Sequence, residues 1–391
     1  MSGRIVVAHV ITKLELGGAQ LNTLHTVEHL DPLRFDACLL CGPGGVLKSR
    51  LAEADRLFIV PALGREIRPV RDIQALLQLL RLFKRFRPQI VHTHSAKAGI
   101  LGRAAARLAG VPVVVHTIHG FSFSPLQPFL QRRFYRLAER ACRPLTDHFV
   151  FVSRSDMDQA RRLKLMIPPR IDSDGDSFSL IRSGFPLGKF LARGDAAAAR
   201  AKYDLPPGCI VCGTIAPFKP QKGLLGLVEV AARVIARNPE VIFFIAGDGE
   251  QRPLLEAELR RRGIAANFRL PGFIRDVENV MDAFDIGLST ARWEGLPQSL
   301  VQLRLKKKAI VASDIPGNRE VVRDRENGLL VPWNDAERFA AAILELAGNA
   351  GLRRRMGNFS AEDFSEWSAD VLVARQEELY QRLVVRSWTR N

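Results

Sequence analysis

"CIVCGTIAPFKPQKGLLGLVEVAARVIARNPEVIFFIA", Cys209–Ala246, decides the fold. It opens on a short apolar run, Cys209–Ala216, and passes through a loop that holds Lys219 and Lys222. From Gly223 it continues as a helical pattern, and a second apolar run, Val241–Ala246, follows. Apolar runs of this length, with no polar alternation, are what strands covered on both faces of a parallel sheet look like. The stretch reads as strand, loop, helix, strand: one βαβ unit.

The same rhythm extends in both directions. Downstream, strand-like runs recur at Phe268–Leu270, Asp285–Ser289, Ala309–Ser313 and Gly328–Val331. Upstream they occupy Arg4–Val10, Phe35–Cys41, Gln89–His94, Val111–Thr117 and His148–Ser153, with amphipathic stretches such as Asp72–Arg87 and Lys97–Leu108 between them. The rhythm is played twice, and it predicts an α/β protein with two doubly wound parallel sheets. Between the halves, Arg170–Asp204 is rich in Pro, Gly, Ser and Asp, a hinge-like composition. The expected division is an N-terminal Rossmann-like domain over 1–185 and a second over 186–368. A final helix over 369–391 has nothing left in its own domain to continue. A ligand held in the crevice between two such domains is the ordinary arrangement.

Bulk properties agree with this division. At 391 residues the chain exceeds one ordinary core. Lys plus Arg outnumber Asp plus Glu by 57 to 41, a formal charge of +16, which favours an anionic partner: a sugar nucleotide, nucleic acid or an acidic membrane surface. No apolar run reaches the roughly 20 residues needed to span a bilayer. The start, "MSGRIVVAHVITKLELGG", reads as a strand followed at once by Lys13 and Glu15, not as a signal peptide. The expected setting is cytoplasmic, peripheral on the inner face of the cytoplasmic membrane. The five cysteines include two C-x-x-C pairs, Cys38/Cys41 and Cys209/Cys212. Residues three apart on a strand face opposite sides, so these read as small buried hydrophobes rather than zinc ligands.

Several motifs fall at the carboxyl ends of predicted strands, where ligands bind in open α/β sheets. Gly17 and Gly18 follow the first strand and open a helix, a turn that lets backbone amides approach a phosphate or simply turns the chain. "VHTHSAKAGILG" and "VHTIHGF" place His92, His94, His116 and His119 on two adjacent strands. His92 and His94 share one face without a carboxylate, so hydrogen-bonded histidines are expected at His92 and His116. His119, beside Gly120 in a loop, is the candidate for substrate contact. Lys219 and Lys222, with a helix start at Gly223, make a diphosphate clamp that needs no metal. In "ARWEGLPQSLVQ", Glu294 can accept from two sugar hydroxyls, and the Gly295 and Leu296 amides lie beside it.

The ordered set "GGAQ", "VHTHSAKAGILGR", "HTIHGF", "FVSRSD", "LIRSG", "GTIAPFKPQKG", "IAGDGE", "WEGLPQSL", "ASDIPGNREVV" and "NGLLVP" resembles the retaining GT-B glycosyltransferases of family 4, across nearly the whole chain. The resemblance implies the GT-B fold, two Rossmann-like domains facing across a cleft, with the acceptor on the first domain and the nucleotide sugar on the second. It implies a UDP- or GDP-type sugar as substrate, no cofactor and no obligatory metal. Carried over by position, His119, Glu294 and Lys222 would be the catalytic group. Gly17, Gly18, Lys219, Lys222, Phe273, Arg275, Glu294, Gly295, Leu296 and Gln302 would hold the donor. The last helix would cross back onto the N-terminal domain.

Two departures stand out. The family pairs its first glutamate with a second one at the position of Gln302, which usually binds the ribose. A glutamine amide keeps a hydrogen bond but not its charge-assisted strength, an expected loss of about 1–2 kcal/mol in donor binding. Family members also carry Arg where Pro217 stands, and small or apolar residues where this chain reads "LRLKKKA". That run is expected to add a basic surface or to mark relaxed constraint. The stretches Ala75–Gln89 and Gln127–Arg143 are amphipathic and rich in Arg and Lys. Packing on the first sheet accounts for their apolar faces, and their basic faces favour anionic lipid. The expected function is sugar transfer to a polyprenyl-diphosphate-linked glycan in polysaccharide, lipopolysaccharide or capsule assembly. The rival readings are a non-hydrolysing sugar-nucleotide epimerase, which shares the fold, and an inactive scaffold, suggested by Gln302. No nucleic-acid partner is expected, because aromatic stacking stripes are missing.

Overall fold

The computed structural model describes residues 3–15, 17–50, 56–121, 123, 127–165, 177–359 and 364–388. Two compact units separate: Met1–Phe185 together with Ser365–Asn391, and Pro186–Phe364. Part of the hinge-like stretch, residues 170–176, lies outside the described residues.

The first unit is built on a seven-stranded sheet. Its strands are β1 Ile5–Ile11, β2 Phe35–Cys41, β3 Leu57–Ile59, β4 Ile90–His94, β5 Val113–Ile118, β6 His148–Phe151 and β7 Phe178–Leu180. They run in the order β3-β2-β1-β4-β5-β6-β7, all pairs parallel. The second unit has six strands: β8 Ile210–Ile215, β9 Val241–Ala246, β10 Phe268–Gly272, β11 Ile286–Ser289, β12 Ala309–Ser313 and β13 Gly328–Val331. Their order is β10-β9-β8-β11-β12-β13, again parallel throughout. Every residue of β4, β5, β9 and β12 is buried, which is why these strands read as unbroken apolar runs. β3 and β7 were not foreseen. Each has three residues at a sheet edge and is only partly buried, too short to show a period.

The terminal helix Ala369–Trp388 belongs to the first core. Its Leu372, Val373, Leu379, Tyr380, Leu383 and Val384 pack with Val7, Ile11, Leu24, Phe35 and Val115. The chain is tied there by backbone: Phe185 donates to Trp367 (2.7 Å) and Ala369 donates to Phe185 (2.9 Å). Gly184 is required at this junction, since a Cβ would sit 2.6 Å from the Ala369 Cα.

The run Arg304–Lys308 is not a basic surface. Arg304 is 2% and Lys306 8% exposed. Arg304 donates from Nη1 to Met356 O (3.2 Å) and from Nη2 to Phe359 O (2.6 Å). Lys306 Nζ bonds the Asp282 carboxylate (2.6 Å) and Ala192 O (2.7 Å), and Lys308 Nζ bonds Asp282 O (3.0 Å). Burial pulls the Lys308 ammonium below its usual pKa. Only Lys307 of the run is exposed. The charges point inward because helix-end and loop carbonyls need donors there, a demand that no local pattern reveals.

All five cysteines are free, four of them buried. Burial pushes the Cys38 thiol up to about 12 and the Cys41 thiol up to about 11, so both stay protonated at neutral pH.

Candidate functional site

In each sheet the strand order reverses once, between β1 and β4 in the first unit and between β8 and β11 in the second. Connections leave such a point in opposite directions and open a crevice at the carboxyl ends of the strands.

At the β8/β11 point of the second unit, the loop after β8 meets the loop after β11. Gly223 has φ 65°, and a Cβ there would lie 2.1 Å from Thr290 O, so only glycine allows the approach. Thr290 Oγ1 donates to Lys222 O (3.0 Å), and Arg292 N donates to Gln221 O (2.8 Å). Across this seam the Lys222 ammonium bonds Glu294 Oε1. Gln221 Nε2 donates to Glu294 Oε2 (3.3 Å) and to Trp293 O (3.0 Å). The carboxylate is therefore held at both oxygens, with 9% of the Glu294 side chain exposed and 19% of Lys222. Gly317 packs against Glu294 so closely that a Cβ would come within 2.5 Å of its carbonyl oxygen.

The sequence-predicted residues distribute around this seam. Lys219 precedes the turn Pro220–Lys222. Gly295 and Leu296 are buried directly after Glu294. Gln302 lies within the following helix, Gln298–Leu305, and is partly buried. Phe273, 61% exposed, and Arg275, also exposed, stand after β10, two strands from β8. Gln221 and Thr290 went unnoticed in the sequence. Neither residue type announces a role, and only the meeting of two loops gives them one.

At the β1/β4 point of the first unit, Thr12 Oγ1 bonds Ser95 Oγ (2.7 Å). Ser95 adopts φ 63°, a conformation uncommon outside glycine and typical of functional sites. Gly17 precedes the helix Gly18–His29 with φ −173°, an extended conformation open to any residue, so no backbone constraint demands glycine there. Five histidines gather on the neighbouring strands and the loop after β5. His9 Nδ1 bonds His94 Nε2 (3.1 Å), and His94 Nδ1 bonds His119 Nε2 (3.1 Å). His92 bonds Tyr380 Oη through Nδ1 (2.6 Å) and Thr117 Oγ1 through Nε2 (2.6 Å). His116 Nδ1 bonds Thr93 Oγ1 (2.8 Å). Burial lowers the pKa of all five: His9 to about 3, His119 to about 4, and His92, His94 and His116 well below the usual value. They are neutral at physiological pH. His9, His92 and His94 bring ring nitrogens within 4.8 Å of one another, yet those nitrogens are engaged with each other, Tyr380, Thr117 and His119. The glycines of "AKAGILG" serve packing: a Cβ on Gly99 would lie 2.5 Å from the His116 ring, and one on Gly102 2.7 Å from Thr93 Cγ2.

Beside this point lies a cavity of about 310 Å³, lined by Lys13, Arg65, Lys97 and Asp72 and by apolar side chains such as Ile100 and Phe134; Lys97 pairs with Asp72, and Lys13 and Arg65 pair with Glu15. Phe134 belongs to the helix Phe129–Cys142, which is anchored through one buried ion pair, Arg103 with Glu139 (3.0 Å). Packing on the sheet does not account for this helix's apolar residues. Phe129, Leu130, Phe134 and Leu137 are each more than half exposed, interleaved with exposed Arg133, Arg136 and Arg140. No helix of the described residues is long and apolar enough to cross a membrane.

Comparison with known proteins places both halves. Residues 17–172 match the family model described as "Glycosyl transferase 4-like domain", and residues 206–349 match "Glycosyl transferases group 1". The chain is 30% identical over 386 residues, 98% of each chain, to the UDP-Gal:alpha-D-GlcNAc-diphosphoundecaprenol alpha-1,3-galactosyltransferase of Escherichia coli. It is 27% identical to the alpha-D-kanosaminyltransferase of Streptomyces kanamyceticus, over 73% of this chain and 76% of that one. Among solved structures it superposes on sucrose-phosphate synthase of Thermosynechococcus elongatus with TM-score 0.80 at 19% identity, covering 98% of this chain and 100% of that one. Anabaena HepE in complex with UDP-glucose gives 0.78 at 18%, covering 97% and 100%. These last two likenesses establish the GT-B fold.

Proposed function

Because the chain belongs to the glycosyl transferases of group 1 and is a glycosyltransferase acting on a nucleotide sugar, we propose that it is a retaining enzyme that transfers the sugar of a UDP-type donor to a polyprenyl-diphosphate-linked glycan. One observation carries the reading: the Lys222–Glu294 contact at the β8/β11 reversal. In this reading the second unit binds the donor. Glu294 accepts from sugar hydroxyls, while Lys219, Lys222 and nearby backbone amides stabilise the departing diphosphate, an electrostatic contribution fixed before the reaction begins. Phe273 and Arg275 take the base and Gln302 the ribose, and Gly17 and Gly18 are donor-binding by the family resemblance. The leaving phosphate and the incoming hydroxyl share one face of the sugar. No metal is needed in this scheme, since two ammonium groups carry the charge.

The first unit takes the acceptor, with His119 as a contact for its hydroxyl group. Cations and apolar side chains in one cavity suit a diphosphate joined to a hydrocarbon chain. The Escherichia coli relative acts, by its name, on such a lipid diphosphate. Phe129, Leu130, Phe134 and Leu137 with their arginines suit an anionic bilayer surface at the inner face of the cytoplasmic membrane. Vesicles of phosphatidylglycerol should co-float the protein at low salt, and Phe134→Ser with Leu137→Ser should release it. Absence of flotation at low salt defeats the membrane reading.

The donor reading is tested by thermal stabilisation with UDP, GDP, ADP and their sugar conjugates. One nucleotide sugar should stabilise the wild type, and Glu294→Ala should lose the sugar's share. If nothing binds until Gln302→Glu restores it, the chain is a disabled scaffold.

A further inference from the structure

The histidines of the first unit form a directed chain. Tyr380 of the helix Ala369–Trp388 donates its hydroxyl proton to Gln376 Oε1 (3.1 Å). A phenol has one proton, so Tyr380 Oη can only accept from its other neighbours. Those neighbours are His92 Nδ1 (2.6 Å) and His9 Nε2 (3.4 Å). His92 then carries its proton on Nδ1, and its Nε2 accepts from Thr117 Oγ1. If His9 carries its proton on Nε2, its Nδ1 is a lone pair, and His94 must supply the proton between them from Nε2. A neutral imidazole has one N–H, so His94 Nδ1 is in turn a lone pair, and His119 must donate to it from Nε2. His119 Nδ1 is left as an acceptor.

Geometry supports linear transfer of this order. The His9 and His94 planes differ by only 9°, with centroids 5.4 Å apart, so the rings meet end to end rather than face to face. His94 and His119 are 5.3 Å apart with a 35° tilt, again nitrogen to nitrogen. Tyr380, His9, His92 and His94 are all 2% exposed or less, so water does not compete along the way. His119 alone is half-buried, at the open end. Among the described residues, its Nδ1 has no hydrogen-bond partner.

We propose that Tyr380 and Gln376, through His9 and His94, fix the tautomer of His119, so that its Nδ1 presents a lone pair to a bound hydroxyl group. Tyr380, His9 and His94 are thus positioning residues. The lone pair accepts a sugar or acceptor hydroxyl and refuses an acceptor-only oxygen such as a carboxylate. This inference rests on the reading of His119 as a substrate contact, but the tautomer itself is independent of it.

The test uses the full chain labelled with ¹⁵N-histidine and long-range ¹H–¹⁵N correlation at pH 7.5, where each neutral ring reports which nitrogen bears the proton. Loss of a signal in His119→Gln and in His94→Gln assigns the two rings. The expected result is one tautomer, Nε2–H, at His9, His94 and His119. Tyr380→Phe removes the anchoring oxygen, and Gln376→Leu releases the phenol proton toward the rings; each should convert His119 to a mixture of tautomers. Nδ1–H or a mixture at His119 in the wild type overturns the proposal, as does an unchanged His119 in both variants. Turnover of His119→Ala separates the two readings. If the tautomer is ordered but His119→Ala retains full activity, the relay stands and the contact with substrate falls.

Discussion

The two units share one strand order over six strands, with a seventh at the edge of the first, and put opposite chemistry at the same place in it. At the β8/β11 reversal, a lysine meets a glutamate across two loops, and the charges are partly open to solvent. At the β1/β4 reversal, four neutral imidazoles and a buried tyrosine are knitted together by hydrogen bonds, and a fifth imidazole, His116, bonds Thr93. All eight histidines of the chain fall at or before residue 148, and the second unit has none. Topology alone therefore creates a crevice and leaves its chemistry open. One crevice holds an ion pair, and the other holds neutral hydrogen-bonded rings.

Acid should separate the units most. Histidines with lowered folded pKa values bind fewer protons than the unfolded chain below pH 6.5. Their contribution is whole above that value and is lost as pH falls toward the folded values of about 3 for His9 and about 4 for His119. Each buried histidine costs about 1.4 kcal/mol per pH unit in that window, and several act together. Native-state proteolysis or hydrogen exchange between pH 7.5 and 5 should show the first unit opening while the second holds. Equal loss in both would break the contrast.

Next in size, Glu294→Ala should lower kcat/KM by about 10²–10³, of the order seen when a fixed transition-state contact is removed. A steady-state assay with the stabilising nucleotide sugar measures it; a loss below tenfold would move the charged site elsewhere. Tyr380→Phe should destabilise the first unit by about 1–3 kcal/mol, because the His92 Nδ1–H loses its buried partner. Urea unfolding followed by hydrogen exchange in β1 and β4 reads this, and a neutral result would mean the network is dispensable. The smallest change is Gln302→Glu, which should tighten nucleotide-sugar binding by about 1–2 kcal/mol in calorimetry if it faces the ribose. Unchanged affinity would place the ribose away from Gln302.

The positions of several polar residues at strand ends were legible in the sequence, because there chemistry and position coincide locally. Lys219, Lys222 and Glu294 are polar residues just beyond apolar runs, and His92, His94 and His116 stand out inside them. His9 had the same mark, a lone histidine within "IVVAHVI", and was passed over because it has no partner nearby in sequence. Tyr380 had no mark, for an aromatic on an amphipathic helix is ordinary core. The run "LRLKKKA" misled because charge clusters are normally solvated; its partners, Asp282 and the carbonyls of Ala192, Met356 and Phe359, are up to 114 residues away.

By itself the amino-acid order determined two parallel α/β sheets, the strands between β1 and β13 long enough to show a pattern, and the residues that end them. These follow from periodicity and from burial on both faces, which are local properties of a chain. Only tertiary structure decided which side chains of the terminal helix complete the first core, that Arg304, Lys306 and Lys308 turn inward, and that His9, His94 and His119 stand in one line. Those outcomes depend on donors and acceptors far apart in the chain being buried together. Each must then find a partner or pay the cost of desolvation.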